Sequence, residues 1–411
     1  MKRNSTGSMI KSTKITFNNL NTNKQQLLSS FLDEYQIVVS KFIDILWPLD
    51  KTPNKLPKEF TSQITSWLSA RAVQAAGKQA SGIVRGTKTK QKKRIFIYNK
   101  LVKQGHFKKA RKLKKIIDNA KVTKPSIKSV QAELDSRFVK IDWDNSTSFD
   151  GWITLTSLGN KLKLLIPVNK TKHFNKLTSL GTVKPGIRLS KNTATFNFEI
   201  TPPVKKETGI IVGLDIGVLN IYSLSTGLAS VPNIHGHTLD SINKILARKQ
   251  KGSKAFKRTE ALRDNYINWA FNQLNLSNIK TIKIENIKNL RLGKKTSRYL
   301  SHFVYPRIFC KINDIATLQG VLVIKVNPTY TSQRCSCCGW TCKRNRKGKR
   351  FKCEVCKFMQ DSDLNASVNI SLDLPEITRE ERLLHKNKKG FYWNEVGKEP
   401  IVPFVLKDQS V

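Results

Sequence analysis

The chain has 411 residues, 74 of which are lysine or arginine and 29 aspartate or glutamate, so its formal net charge is +45 at pH 7. This length exceeds one ordinary hydrophobic core and predicts about two to four domains. A charge this high indicates a polyanionic partner, most often nucleic acid. A membrane partner is disfavoured, because the sequence has no run of roughly eighteen apolar residues and no amphipathic anchor.

The start of the sequence has no basic region followed by an apolar one, as a secretory signal would have. We therefore expect a protein that is not secreted. Its cysteines should then be reduced, and they become candidates for metal binding rather than for disulfide bonds.

The first half of the chain changes from helical to strand periodicity. Over residues 21–80, apolar side chains recur at three- and four-residue steps, which predicts helices. From residue 136, short apolar runs between turn signals predict strands and suggest a small barrel. The runs cover residues 152–155, 161–167 and 194–200. Two prolines, Pro202 and Pro203, then predict a linker over residues 201–208.

Residues 85–128 are the most basic segment, with Asp118 as the only acid. Because one acid cannot supply the compensating ion pairs of a merely soluble helix, we favour a phosphate-binding surface over a solvated helix face. Phe96, Tyr98 and Phe107 lie among these charges; base stacking is one role for them, but we expect at least two to pack in a core. The candidate nucleic-acid contacts are Lys92, Lys93, Arg94, Lys108, Lys109 and Arg111.

Two predicted strands each end in an acid. The apolar run from Gly209 to Gly217 ends in Asp215, and residues 280–286 alternate in the strand period up to Glu285. An acid at the end of a strand often has no catalytic role, so either residue alone is weak evidence. The two together point to a shared site.

Four cysteines form two C-x-x-C pairs about fifteen residues apart, a spacing that suits a structural, tetrahedral zinc site. The pairs are Cys335 with Cys338 and Cys353 with Cys356; Cys337 and Cys342 remain as competing ligands. The basic loop between the pairs is either solvated or, as we favour, guides a single nucleic-acid strand. Nucleic-acid contacts are predicted for Arg344, Arg346, Arg350 and, with a structural role as the alternative, Arg334.

A third acid, Asp363, opens an apparent helix just after the cysteines. Its alternative role is that of a helix cap, and the neighbouring Asp361 suits a helper or cap. Three acids in the order strand, strand, helix start suit a nuclease that holds two Mg²⁺ ions roughly 3.5 to 4 Å apart. Hard carboxylate oxygens select Mg²⁺ or Mn²⁺, whereas thiolates take zinc.

Four motifs together resemble the split RuvC nuclease of the transposon-encoded TnpB proteins and the compact type V CRISPR effectors. They are Gly213-Leu-Asp215-Ile-Gly217, Ile284-Glu285-Asn286, Thr331-Ser-Gln-Arg-Cys335 and Asp363-Leu-Asn-Ala. The resemblance implies an RNA-guided DNA endonuclease with Asp215, Glu285 and Asp363 as catalytic, Mg²⁺-binding acids. It also implies that the partners are a guide RNA, a double-stranded DNA target and its displaced strand. We expect a monomeric ribonucleoprotein that is cytoplasmic and nucleoid-associated in a prokaryotic or phage host cell. Two small departures are Cys337 inside the first cysteine pair and Ser367 where alanine is more usual.

The fold that this resemblance implies is multidomain α+β. It combines an RNase H-like (RuvC) α/β nuclease domain, an inserted four-cysteine zinc ribbon, a helical recognition domain and a small β-barrel wedge domain. The expected divisions are residues 1–20 and 136–206 for the wedge barrel, 21–135 for the helical domain, 207–334 and 357–374 for the nuclease, 335–356 for the ribbon and 375–411 for a C-terminal tail. The alternatives in function are a nuclease-inactive RNA-guided repressor, an unguided RuvC-like resolvase and, less favoured, a zinc-ribbon transcription factor.

Overall fold

A computed structural model describes residues 7–53, 55–119, 122–127, 129–143, 147–287, 297–378, 381 and 390–394. Most of the predicted C-terminal tail therefore lies outside the described residues. The chain divides into two compact units, Met1–Thr201 and Pro202–Val411. Within the part of the chain that is described, no helix combines the length and the apolar character needed to cross a membrane.

The two longest helices of the first unit begin at polar caps. Asn21 accepts a hydrogen bond from the Lys24 amide at 2.9 Å, and Ser69 accepts one from the Ala72 amide at 3.1 Å. Each bond satisfies an amide that the first helical turn leaves unpaired. The helices are α1 (Thr22–Leu46), α2 (Lys58–Ser62), α3 (Ala70–Lys103), α4 (Phe107–Asn119) and α5 (Lys172–Thr178). The longest two, α1 and α3, pack against each other through the apolar stripe that periodicity predicts.

Few side chains are buried in the basic C-terminal half of α3 or in α4. Among the described residues of α4, only Ala110 is buried. Phe96 and Phe107 are 69% and 67% exposed. The expectation that at least two of the three aromatic residues pack in a core was therefore wrong, and both phenyl rings are available to a partner.

Two antiparallel sheets complete the first unit. Its strands are β1 (Met9–Thr16), β2 (Ala132–Leu134), β3 (Val139–Asp142), β4 (Gly151–Leu155), β5 (Leu164–Val168), β6 (Thr182–Leu189) and β7 (Thr193–Ile200). One sheet has the order β1-β7-β6-β2 and the other β3-β4-β5. The first strand of the chain thus pairs with the last strand of the unit, Met9 opposite Ile200.

The second unit is built on a mixed sheet with helices on both faces. Its strands are β8 (Ile210–Asp215), β9 (Ser223–Leu224), β10 (Ile279–Glu285) and β11 (Leu322–Val326), in the order β11-β10-β8-β9. The three strands β8, β10 and β11 are parallel, and β9 is antiparallel to β8. The helices are α6 (Leu239–Arg248), α7 (Lys254–Asn272), α8 (Arg298–Ser301), α9 (Tyr305–Leu318) and α10 (Ser362–Ser371).

Side chains alternate between the two faces of this sheet. Val212 and Leu214 of β8 join the buried core formed with α6, α7 and α9. On the opposite face Lys283 donates a hydrogen bond to the Ser371 carbonyl at 2.8 Å, at the end of α10. Because strand side chains alternate with period two, Asp215 and Glu285 belong to the same face as Lys283, toward α10.

Gly213 lets α10 approach β8 closely. A Cβ atom at this position would lie 1.9 Å from the Ser367 carbonyl oxygen and 2.6 Å from the Ser371 amide nitrogen. Both atoms belong to the helix backbone, which cannot rotate away as a side chain can. The glycine of the first acidic motif therefore has a packing role.

Gly213→Ala is expected to lower the free energy of unfolding by about 1 to 3 kcal/mol, the usual cost of overpacking a core. Gly82→Ala is the matched control, because Gly82 lies in α3 with nothing within 4 Å of its Cβ position. That change should instead stabilise its helix by roughly 0.5 to 1 kcal/mol. Thermal unfolding measures both, and equal shifts in the two variants would contradict the role given to Gly213.

The cysteine-rich segment forms short strands between β11 and α10. They are β12 (Trp340–Thr341), β13 (Arg346–Lys347), β14 (Arg350–Lys352) and β15 (Met359–Asp361), with a 3-10 helix at Lys343–Asn345. The order β13-β14-β15 makes one small sheet, and β12 pairs with β16 (Phe391–Tyr392). Residues 335–361 are called the ribbon below.

Candidate active site and cysteine cluster

Two acids meet at the carboxyl edge of the sheet. Asp215 is the last residue of β8, and Glu285 is the last residue of β10. These strands are parallel neighbours, with Leu214 opposite Ile284. The two acids therefore leave adjacent strands at the same edge, where sheets with parallel strands commonly bind ligands.

The third acid comes from the start of α10. Asp361 accepts hydrogen bonds from the amides of Asp363 and Leu364 at 2.9 and 3.2 Å, so Asp361 is the helix cap. This cap holds Asp363 in the first turn, with only 5% of the residue exposed. A Cβ at Gly217 would lie 3.7 Å from Oδ2 of Asp363, so the loop after β8 passes directly beside this carboxylate.

The ionised forms of two of the acids are disfavoured in this site. Burial, together with the negative charges of Glu285 and Asp363, raises the pKa of Asp215 to about 7. Burial also raises the pKa of Glu285, although the Thr331 hydroxyl donates a hydrogen bond to it. Carboxylates that are costly to ionise together are stabilised by a nearby cation, which fits a site for divalent metal ions.

Two cations of the ribbon lie on Asp363. Lys349 donates a hydrogen bond from Nζ to Oδ2, and Arg346 places a guanidinium nitrogen 3.3 Å from Oδ1. Both carboxylate oxygens thus have a positively charged partner. The three acids do not converge as tightly as the cysteines, because among the described residues only the cysteines put three or more potential ligand atoms within 4.8 Å of one another.

That cluster consists of Cys335, Cys338, Cys353 and Cys356. The sulfur atoms are 3.7 Å apart for Cys335 and Cys356 and 3.6 Å apart for Cys338 and Cys353. Zn–S bonds of about 2.3 Å in a tetrahedron place sulfurs roughly 3.8 Å apart. The cluster therefore fits a zinc ion whose four positions are all filled by thiolates.

Two similar turns bring the sulfurs together. The Cys335 amide donates to the Trp340 carbonyl at 2.8 Å, and the Cys353 amide donates to the Phe358 carbonyl at 2.9 Å. Each turn needs a residue with positive φ, which is Gly339 at 80° in the first and Lys357 at 60° in the second. Cys337 and Cys342 lie outside the cluster, so the geometry selects the two C-x-x-C pairs.

Parts of this chain are similar in sequence to known proteins. The family model "Cas12f1-like, TNB domain" matches residues 305–370, which run from α9 through the ribbon to α10. The CRISPR-associated endodeoxyribonuclease Cas12f1 of Sulfoacidibacillus thermotolerans is 42% identical over 94 residues, 22% of this chain and 22% of that protein. The provisionally named RNA-guided DNA endonuclease InsQ of Escherichia coli (strain K12) is 26% identical over 204 residues, 42% of this chain and 50% of InsQ.

The chain is related to the TnpB-like proteins and the compact type V CRISPR effectors. It matches about a fifth of the length of the Cas12f1 relative and half of InsQ. Among solved structures, the match to a Cas12f1–sgRNA–target DNA complex covers 89% of this chain and 99% of the protein chain in that complex. The sequence identity is 16% and the TM-score is 0.41.

The predicted nucleic-acid contacts fall into two groups. Arg334 is 5% exposed, and its guanidinium donates to the Trp393 carbonyl at 2.6 Å and to Asn369 Oδ1 at 2.7 Å. This burial favours the structural role that the sequence left open for Arg334. The others keep exposed or partly exposed side chains; they are Lys92, Lys93, Arg94, Lys108, Lys109, Arg111, Arg344, Arg346 and Arg350.

Three features of the site were not predicted. Thr331 is the first residue of the motif that ends at Cys335, but its hydrogen bond to Glu285 could be seen only in the folded chain. Lys349 is one cation among many in its loop, and its contact with Asp363 has no signal in the sequence. The third is β16, whose residue Tyr392 pairs with Trp340 of the ribbon. A strand of two residues is too short to show a periodicity.

Proposed function

We propose that this chain is an RNA-guided DNA endonuclease that hydrolyses phosphodiester bonds at one site formed by Asp215, Glu285 and Asp363. The observation that carries the proposal is the meeting of the first two acids at one sheet edge, beside the helix start that bears the third. The raised pKa values of Asp215 and Glu285 support a role that requires bound cations.

In this proposal the sheet of the second unit is an RNase H-like (RuvC) fold, and the three acids hold Mg²⁺ or Mn²⁺. When bound, two such ions activate the attacking water and stabilise the leaving oxygen of the phosphodiester. Other side chains of the protein contribute by positioning two of these acids. Thr331 orients Glu285 through its hydroxyl, and the Asp361 cap fixes the first turn that carries Asp363.

The first unit is proposed to hold the guide RNA and its hybrid with DNA. Its long helices α3 and α4 expose a dense set of cations together with Phe96 and Phe107, and exposed aromatic rings among cations suit stacking on bases beside phosphate contacts. We further propose that the strands of this unit act as the barrel-like wedge domain. The protein would then read a short flanking duplex motif, while base pairing selects the target.

The ribbon is proposed to carry structural zinc and to lead a single DNA strand to the acids. Four thiolates leave no coordination position for water, so this zinc has no hydrolytic role. An open groove on the ribbon is lined by several cations and one acid, Glu354, which pairs with Arg344 at 2.5 Å. The other cations that line the groove are Lys347, Arg350, Lys352 and Lys357.

Sequencing of the RNA that copurifies with the chain, followed by a plasmid cleavage assay, tests this function. We expect one discrete RNA species and Mg²⁺-dependent cleavage of a plasmid that matches it, with no cleavage of an unmatched plasmid or in EDTA. Target binding without cleavage would indicate a guided repressor instead. Cleavage of branched DNA without RNA would indicate an unguided resolvase.

A further inference from the structure

Lys349 stands at the tip of a tight hairpin in the ribbon. Lys347 of β13 pairs with Arg350 of β14, which leaves Gly348 and Lys349 as the two loop residues. Gly348 has a φ of 63°, the conformation that a two-residue hairpin needs at its first loop position. The turn therefore fixes which residue occupies the tip.

The hairpin is anchored to the start of α10 by its backbone. The Ser362 hydroxyl donates to the Gly348 carbonyl at 2.9 Å, and the Ser362 amide donates to the Lys349 carbonyl at 2.8 Å. Ser362 itself is fully buried. These bonds hold the Cα of Lys349 beside Asp363, so the ion pair between them follows from the fold of the hairpin.

We propose that Lys349 competes with a divalent metal ion for Asp363, and that a DNA phosphate bound at the hairpin releases the carboxylate. The inference rests on the proposed function, because it concerns the same acids. An ammonium group and a divalent cation repel each other, so each weakens the binding of the other to one carboxylate oxygen. A bound strand offers the ammonium an alternative anion, so loading of DNA favours loading of metal.

The exposures of the two side chains suit this exchange. The Asp363 side chain is 7% exposed and stays in place, whereas the Lys349 side chain is 36% exposed and can turn outward on its flexible stem. Arg346, 33% exposed, holds the other oxygen from the same hairpin and can follow the strand in the same way. The coupling is reciprocal, since metal that holds Asp363 also frees Lys349 for a phosphate.

Binding of Mn²⁺ to the full-length, zinc-loaded chain tests the proposal without a cleavage readout. Free Mn²⁺ is measured by electron paramagnetic resonance, with and without a short single-stranded phosphorothioate DNA, after subtraction of Mn²⁺ bound by the DNA alone. We expect the DNA to tighten Mn²⁺ binding to the wild-type chain by about tenfold. Lys349→Met should bind Mn²⁺ about tenfold more tightly without DNA and respond little to it.

Two control variants keep the result specific. Lys349→Arg retains the positive charge and should behave like the wild type. Lys257→Met removes an exposed cation of α7 that has no ion pair with Asp363, and it should leave the Mn²⁺ affinity without DNA unchanged.

Asp215→Ala separates the two possible failures. If Mn²⁺ binding does not depend on Asp215, the proposed function itself is wrong. If binding depends on Asp215 but is the same in the wild type and in Lys349→Met, with and without DNA, the function stands and the competition is wrong.

Discussion

Replacement of Asp215 by alanine is expected to lower the rate of guided DNA cleavage by at least about 1000-fold. Loss of a metal ligand forfeits several kcal/mol of transition-state stabilisation, and each 1.4 kcal/mol is about tenfold in rate. The amount of copurified RNA should not change, since Asp215 lies at the edge of the sheet and not on the basic helices α3 and α4. Single-turnover cleavage of a matched plasmid in Mg²⁺ measures the effect.

Glu207→Ala is the matched control for this experiment. Glu207 is an exposed acid of the same unit, just ahead of β8. The Glu207→Ala change removes one formal negative charge, as Asp215→Ala does, but leaves the three acids in place. Cleavage should therefore continue at the wild-type rate. Nicking by Asp215→Ala at the rate of this control would refute the assignment of the site.

Cys353→Ser is expected to abolish zinc binding and to unfold the ribbon. Structural zinc sites contribute roughly 10 to 16 kcal/mol of apparent binding energy at neutral pH, and Cys353 is a fully buried member of the cluster. We expect cleavage to be lost as well. The last strand of the ribbon, β15, ends at Asp361, and Asp361 is the cap of the helix that carries Asp363. Zinc content by atomic emission and limited proteolysis of residues 335–361 report the two effects.

The control for the zinc experiment is Cys337→Ser. Cys337 is exposed and stands outside the four-sulfur cluster, so this variant should keep its zinc and its resistance to proteolysis. The pair of variants also decides whether a neighbouring thiol can replace a ligand. Zinc retained at the wild-type level by Cys353→Ser would mean that Cys337 or Cys342 takes its place.

The sequence was most informative where local chemistry fixes the structure. Two C-x-x-C pairs predict the four-sulfur cluster, because each tight turn determines its own sulfur positions. The apolar runs predict that Asp215 and Glu285 end strands, and the parallel pairing of β8 and β10 puts both at one edge. Asp361 was expected as a helper or a cap, and its bonds to two amides of α10 show the cap.

The sequence was least informative where contacts join distant residues. The exposure of Phe96 and Phe107 depends on what packs against α3 and α4, which no local pattern records. Arg334 sits beside Cys335 in a basic stretch, yet its burial depends on Trp393, 59 positions along the chain. The contact of Lys349 with Asp363 likewise requires the hairpin, the helix cap and the cysteine turns to be placed together.

The join between β15 and α10 has a mechanical consequence. The strand ends at Asp361, the same residue caps the helix, and no linker separates the two elements. Ser362 adds two hydrogen bonds to the hairpin tip, so the ribbon is attached to the first turn of α10 at a second place. The ribbon and the first turn of α10 are therefore one continuous body, and loss of the structure of the ribbon also removes the cap that positions Asp363.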